Sequence, residues 1–139
     1  MNLKPVPLKS IQTFTSKLFK ATVYFKQSEA KLLLTSDAKK QLDNAIKQYT
    51  EYTTQNITGS NRSALINIDA YTNSDDSNKN NDKLSNDRAQ AAKKYLIEHG
   101  INSSVINAQG HGESNLVNNK DGEDKAASRR VEISVQPTR

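Results

Sequence analysis

A polar loop that runs straight into a helix carrying an arginine on its apolar side constrains this chain more than any other feature. After Asn81, the residues Leu84, Ala91, Ala92, Tyr95 and Leu96 recur at helical intervals, and Arg88 falls four residues after Leu84 and three before Ala91. Arg88 therefore belongs in or beside the core stripe. A guanidinium is rarely enclosed without a partner, so its head is expected to reach a carboxylate, in the protein or in a ligand, while its stem packs on apolar neighbours. A structural ion pair or a snorkelling surface arginine accounts for the same spacing.

Around this segment the chain alternates strands and helices. Residues 1–19 hold two prolines and scattered apolar residues, and read as a linker or docking segment in which Leu8, Ile11, Phe14, Leu18 and Phe19 fall near helical spacing. Ala21–Phe25 is β-branched and aromatic, a first strand. From Ser36, a plausible N-cap, Ala38, Leu42, Ala45, Ile46, Tyr49 and Tyr52 line one face of a helix that ends before Asn56 or Gly59. Leu65–Tyr71 alternates as a second strand, and the arginine-bearing helix follows from about Asp82 to His99, stopped by Gly100. Val105–Gln109 is a third strand. A long polar loop from Gly110 to Ser128 leads to a final strand, Arg129–Val135. The expected architecture is an α/β (α+β) two-layer sandwich, with parallel pairing across the helical crossovers and an antiparallel last strand.

Composition sets outer limits. The 139 residues suffice for one domain, and an apolar fraction of 34% beside 25% charged residues describes a modest core, with no run of membrane-spanning length. The net charge of +5 favours anionic partners without choosing among nucleic acid, acidic lipid and carboxylate-bearing wall polymers. With no cysteine, disulfides, thiolate metal sites and cysteine nucleophiles are excluded. The amino terminus lacks the apolar stretch of a secretory signal, as expected of a cytoplasmic chain or an excised mature fragment.

Thr72-Asn73, Asp76, Asn81, Leu84-Ser85, Arg88-Ala89, Gly110-His111-Gly112-Glu113 and Ser128-Arg129-Arg130-Val131-Glu132 keep, without gaps, the spacing of a family pattern. Over residues 20–136 the chain resembles the peptidoglycan-binding domain shared by OmpA carboxyl-terminal regions, the lipoprotein Pal and the flagellar stator protein MotB. The resemblance implies a β-α-β-α-β-β fold with a mixed sheet, a tail at 137–139, a periplasmic setting and a noncatalytic role in anchoring an assembly to the cell wall. It further implies a ligand, the diaminopimelate of the stem peptide, whose free end carries an ammonium and a carboxylate on one carbon. Arg88 matches the arginine that clamps the carboxylate. Asn73, Asp75 and Asn81 would line the loop, and Arg130 would support the same rim.

Three positions depart from the pattern: Asn73 stands for an aspartate, Asp76 for a glycine and Ser128 for an asparagine. An amide oxygen accepts a hydrogen bond from an ammonium but supplies no countercharge. Bonds to charged groups are worth ~1.5–3 kcal/mol against ~0.5–1.5 for neutral pairs, so binding is expected to weaken about tenfold or more. Asp69, Asp75 and Asp76 are nearby acids that could replace the charge. A protein-interaction or scaffold domain of an envelope machine, without a wall ligand, is the alternative; stator relatives pair, which makes a homodimer an expectation.

Other signals are weaker. Asp76, Asn78, Asn80 and Asp87 fit four places of a calcium loop, but Asn81 replaces its glycine and Asp87 its bidentate glutamate. His99 and His111 lack the companions of a zinc site. Neither Ser85 nor Ser128 has the context of a nucleophile, and Asp69 with Glu113 would be a glycosidase pair only by the commonness of acids. Only Tyr95 interleaves an aromatic with the basic pairs Lys93-Lys94 and Arg129-Arg130, and Arg130-Val131-Glu132 reads better as a strand with polar faces, so nucleic acid is not expected, nor is any cofactor.

Overall fold

β-Branched and aromatic residues at Phe19–Tyr24 form strand β1, and the apolar face that starts at Ser36 winds into helix α1, Ser36–Thr53. The computed structural model describes residues 19–25, 36–57, 60–74 and 78–138. Two short strands, Asn56–Ile57 (β2) and Ser60–Asn61 (β3), lead into β4, Ala64–Tyr71. The arginine-bearing helix α2 spans Asn78–Glu98, and a 3-10 turn at Ser103–Val105 precedes β5, Ile106–Gly110. Then come β6, Asn118–Asn119, β7, Gly122–Glu123, the one-turn helix α3, Lys125–Ser128, and β8, Arg130–Pro137.

The main sheet runs β1-β8-β4-β5. Strand β8 is antiparallel to both neighbours, and β4 pairs with β5 in parallel across the α2 crossover, as the sequence predicts. In β4 the alternation is strict: Ala64, Ile66, Ile68 and Ala70 are buried, and the residues between them are half-buried. In β8 it is not: Val131, Ile133 and Val135 are buried, and so are Arg130 and Ser134 at the alternate positions. Helix α1 packs on β1, β4 and β8, and α2 on β5 and β4, leaving the opposite sheet face to Thr22, Glu132, Asp69 and Gln109, which stand in register.

Several boundaries differ from the sequence reading: β1 is Phe19–Tyr24 rather than Ala21–Phe25, which takes Phe19 out of the expected linker, β4 starts one residue earlier, and β8 is Arg130–Pro137 rather than Arg129–Val135. Helix α2 starts at Asn78 rather than Asp82, because its first turn is built from asparagine and lysine and carries no apolar period. Val105 closes the 3-10 turn, so β5 begins one residue later. The segment Gly110–Ser128 is no open loop: it folds into the β6–β7 hairpin around the two-residue turn Lys120-Asp121, with Gly122 at φ +110° just after it, and then into α3, capped by Asp124, whose carboxylate accepts from the Ala127 N–H at 3.1 Å. Gly100 ends α2 as expected, at φ +96°, with the Ile101 N–H bonded to the Leu96 carbonyl at 3.0 Å. The expectations for residues 1–18 lie outside the described residues.

Candidate functional site

The inner stripe of α2 changes character along its length. Ala89, Ala92 and Leu96 pack in the apolar core, whereas the buried positions of the first half are Asn81, Ser85 and Arg88. Polar groups removed from water must be satisfied internally, so this half of the helix needs polar neighbours. The end of β4 and the Gly110-His111-Gly112 segment provide them. The Ser85 hydroxyl donates to the Asp82 carbonyl at 3.0 Å and accepts the Gly112 N–H at 2.9 Å. The Gly112 carbonyl then accepts from the Thr72 N–H at 2.8 Å, and the His111 N–H donates to the Ala70 carbonyl at 2.9 Å.

Both glycines are dictated by this closeness. A Cβ on Gly110 would fall 2.6 Å from Asn86 Cα, and one on Gly112, which sits at φ +58°, would strike the Asp82 carboxylate. The serine and the two glycines thus fasten the chain beyond β4 to the first turns of α2.

Arg88 lies at the floor of this corner with no exposed surface. Its Nη1 donates to the Tyr71 carbonyl at 3.3 Å, and its guanidinium carbon stands 5.0 Å from the centre of the Phe25 ring. Phe25 is in turn held by Arg129: the two exchange a backbone bond at 3.0 Å, and Arg129 Nε donates to the Phe25 carbonyl at 3.0 Å. Asn73 and Asn81 are 4% and 2% exposed, so three residues of the motif are enclosed where β4 ends and α2 begins. Asp75 and Asp76 lie outside the described residues. The calcium template loses its loop, since Asn78 and Asn80 belong to α2 and Asp87 pairs with Lys83 at 2.9 Å.

Arg130 has a different task. Its Nε donates to Glu132 at 2.7 Å, Nη1 to the Ser128 carbonyl at 3.3 Å and Nη2 to the Asn115 carbonyl at 3.2 Å, while its guanidinium covers the Tyr71 ring at 4.2 Å. Tyr71 is therefore the junction of the two arginines, its carbonyl taken by one and its ring by the other. On its remaining side it stacks on His111 at 5.0 Å, and His111 Nε2 meets Asp69 at 2.8 Å. Burial, then the charges of Glu132 and Asp69, push the Tyr71 hydroxyl above its usual range. Ser128 ties the returning loop down, accepting from the Val117 N–H at 2.9 Å and donating to the Asp124 carbonyl at 2.8 Å.

The sequence reading missed Glu123. The Ser74 N–H donates to its Oε2 at 3.1 Å and the Ser74 hydroxyl donates to its Oε1, so a carboxylate from β7 stands beside the residue that follows Asn73. Forty-nine positions separate the two in sequence, and the only signal was the Asp121-Gly122 dipeptide, which straddles the end of the turn that folds the hairpin back. Among the described residues no group of three or more histidine, cysteine or acidic side chains could hold a metal ion, and no helix is long and apolar enough to cross a membrane.

Comparison with known proteins agrees with this architecture. A family model described as "OmpA family" matches residues 24–130. Outer membrane protein A of Bordetella avium is 29% identical over 137 residues, 98% of this chain and 62% of that protein. The probable lipoprotein YiaD of Escherichia coli is 38% identical over 73 residues, 52% of this chain and 33% of the relative. The chain thus spans between one third and about three fifths of these relatives. Among solved structures, the peptidoglycan-associated lipoprotein from Burkholderia pseudomallei superposes with a TM-score of 0.66 at 18% identity, covering 83% of this chain and 89% of that one, a likeness of fold.

Proposed function

Because the chain belongs to the OmpA family, we propose that it is a noncatalytic cell-envelope domain that grips the diaminopimelate end of a peptidoglycan stem peptide and so anchors a larger assembly to the wall. Arg88 takes the ligand carboxylate in a forked, charge-assisted pair. Asn73, Asp75 and Asn81 line the loop around it, and Arg130 acts at one remove, fixing Tyr71 and Asn115. The observation that carries this reading is the enclosure of Asn73, just beyond β4, together with Asn81 and Arg88 on the inner stripe of a helix whose later inner positions are apolar. Burying such groups costs stability that alanine or leucine would not, which favours retention for binding.

Arg88 has no exposed surface, so docking requires that its guanidinium be uncovered, and part of the binding energy is spent on that step. With Asn73 neutral, affinity is expected about tenfold below that of a site with an acid there. The deciding experiment is retention on purified sacculi. The natural chain is expected to sediment with them and Arg88→Ala to stay in solution while keeping its folded circular-dichroism spectrum.

A second reading makes the domain an interaction scaffold without a wall ligand, and the same complete burial of Arg88 with the neutral Asn73 favours it. It predicts that neither the natural chain nor Asn73→Asp is retained, whereas retention of Asn73→Asp alone marks a decayed wall site.

A further inference from the structure

The face of the sheet opposite the helices holds a cavity of its own. The alternation that buries Ile66, Ile68, Ile133 and Val135 turns Asn67, Asp69 and Ser134 the other way, and Asn107 and Gln109 of β5 join them. Asn67 stands between Asn107 and Ser134, and Asp69 beside Gln109. With Lys93 of α2, the helix that packs on β5, these side chains line a cavity of about 520 Å³, within the ~300–1,000 Å³ of small-molecule sites. Most of its polar groups are unused within the protein. Ser134 is only 5% exposed, yet its hydroxyl makes no hydrogen bond among the described residues, and neither does the Gln109 amide or the Lys93 ammonium. Asn107 Nδ2 donates to Asn67 Oδ1 at 3.2 Å, which leaves the Asn67 amide hydrogens and the Asn107 oxygen to the cavity. Asp69 meets His111 with one oxygen, at 2.8 Å, and keeps the other.

These groups select a ligand class. One ammonium, with one carboxylate already beside a histidine, leaves little net charge, which disfavours a polyanion or a cation. The outward side chains are all polar, so a lipid would find little to bury against. A peptide strand added along β5 would reach the edge of that strand alone, whereas the unused groups run across β8, β4 and β5. What remains is a ligand whose substituents donate and accept together, as Gln109 and Ser134 do: the hydroxyl groups of a sugar. We propose that this cavity is a second binding site, which takes a neutral sugar chain lying across β8, β4 and β5. Sugar hydroxyls bridge the Asn67–Asn107 pair and Gln109, and one reaches Ser134. Among the described residues β5 ends the sheet, so a polymer can run out past it. The site uses neither Arg88 nor Asn73, and stands whether or not the corner beyond β4 holds a stem peptide.

The test is titration of the whole chain, followed by amide NMR, with two probes: the trisaccharide of N-acetylglucosamine and maltotriose. Saturable shifts are expected at Asn67, Asn107, Gln109 and Ser134 with at least one of them. Gln109→Ala and Ser134→Ala are each expected to weaken that binding about three- to tenfold, the loss of one hydrogen bond. The same spectra show that each variant is folded, and Gln109 is exposed, so its truncation leaves the core untouched. Tighter binding of the acetylated probe marks an amino-sugar chain as the ligand, and equal or tighter binding of maltotriose a plain hexose chain. No saturable shift with either probe overturns the proposal. So do shifts centred on another part of the chain, or binding that survives both Gln109→Ala and Ser134→Ala unchanged.

Discussion

Replacing Gly110 by alanine loads the tightest seam of the fold, where β5 runs under α2. The added Cβ would stand 2.6 Å from both Asn86 Cα and the Ser85 carbonyl carbon, and closer still to the Asn86 nitrogen, whereas real Cβ atoms essentially never approach below 3.0 Å. All three obstacles are backbone, so no side chain can rotate away, and α2 must retreat from β5 by about 1 Å in a close-packed interior. Overpacking of this kind costs ~1–3 kcal/mol or more, and a rigid obstacle places the cost at the upper end, about 3 kcal/mol. The retreat also stretches the Gly112–Ser85 bond, which is worth a further ~1 kcal/mol. Against a total stability of ~5–15 kcal/mol this is a large fraction, equivalent to a fall in melting temperature of roughly 10 °C or more.

Gly100→Ala serves as the control. Nothing lies within 4 Å of its would-be Cβ, so only the left-handed φ of +96° is penalised, at ~1–2 kcal/mol. Urea unfolding of the two variants beside the natural chain measures both costs. If Gly110→Ala loses no more than Gly100→Ala, the seam yields more easily than close packing allows, and the account of how α2 is held against β5 is wrong.

Ser85→Ala leaves the buried Gly112 N–H without its acceptor and is expected to cost ~1–3 kcal/mol in urea unfolding, with Ser85→Thr or Ser85→Cys losing less only if the acceptor survives. Tyr95 gives an alkaline signature: burial first, then its 2.7 Å bond to Asp43, push the hydroxyl up to about 12. The raised value means that folding favours the protonated form, so this contribution is complete below pH 10 and is lost as pH rises from about 10 to about 12. Tyr95→Phe is expected to lose that part of the pH dependence, so its stability difference from the natural chain shrinks across this window. A difference that stays constant from pH 9 to 12 would show that the hydroxyl does not keep its proton for these reasons.

The residues that made the fold readable are those whose period survives burial on one side only. The alternation through Ala64–Tyr71 and the apolar face through Leu42, Ala45 and Tyr52 lie over a single core, and their elements fall close to where the pattern puts them. Strand β8 hid its second buried face because Arg130 and Ser134 look polar in sequence yet are covered by long-range neighbours. Arg88 was legible as a stripe position, and its burial follows from that; its contact with the Tyr71 carbonyl and its place above Phe25 were not, since backbone acceptors leave no trace in residue type. Gly110 and Gly112 were visible as residues while their reason, the approach of a helix backbone, was not. Glu123 was lost among other acids because only the folded hairpin brings it beside Ser74.

The place of β8 in the sheet has a consequence for how such a chain matures. Among the described residues strand β1 pairs with β8 alone in the main sheet, so until Arg130–Pro137 has left the ribosome β1 lacks that partner and the remainder of the main sheet is one parallel pair, β4 with β5. The pairing that closes the sheet joins residues more than a hundred positions apart, a loop closure that delays folding. The main sheet of a chain organised this way closes only once its last strand is in place.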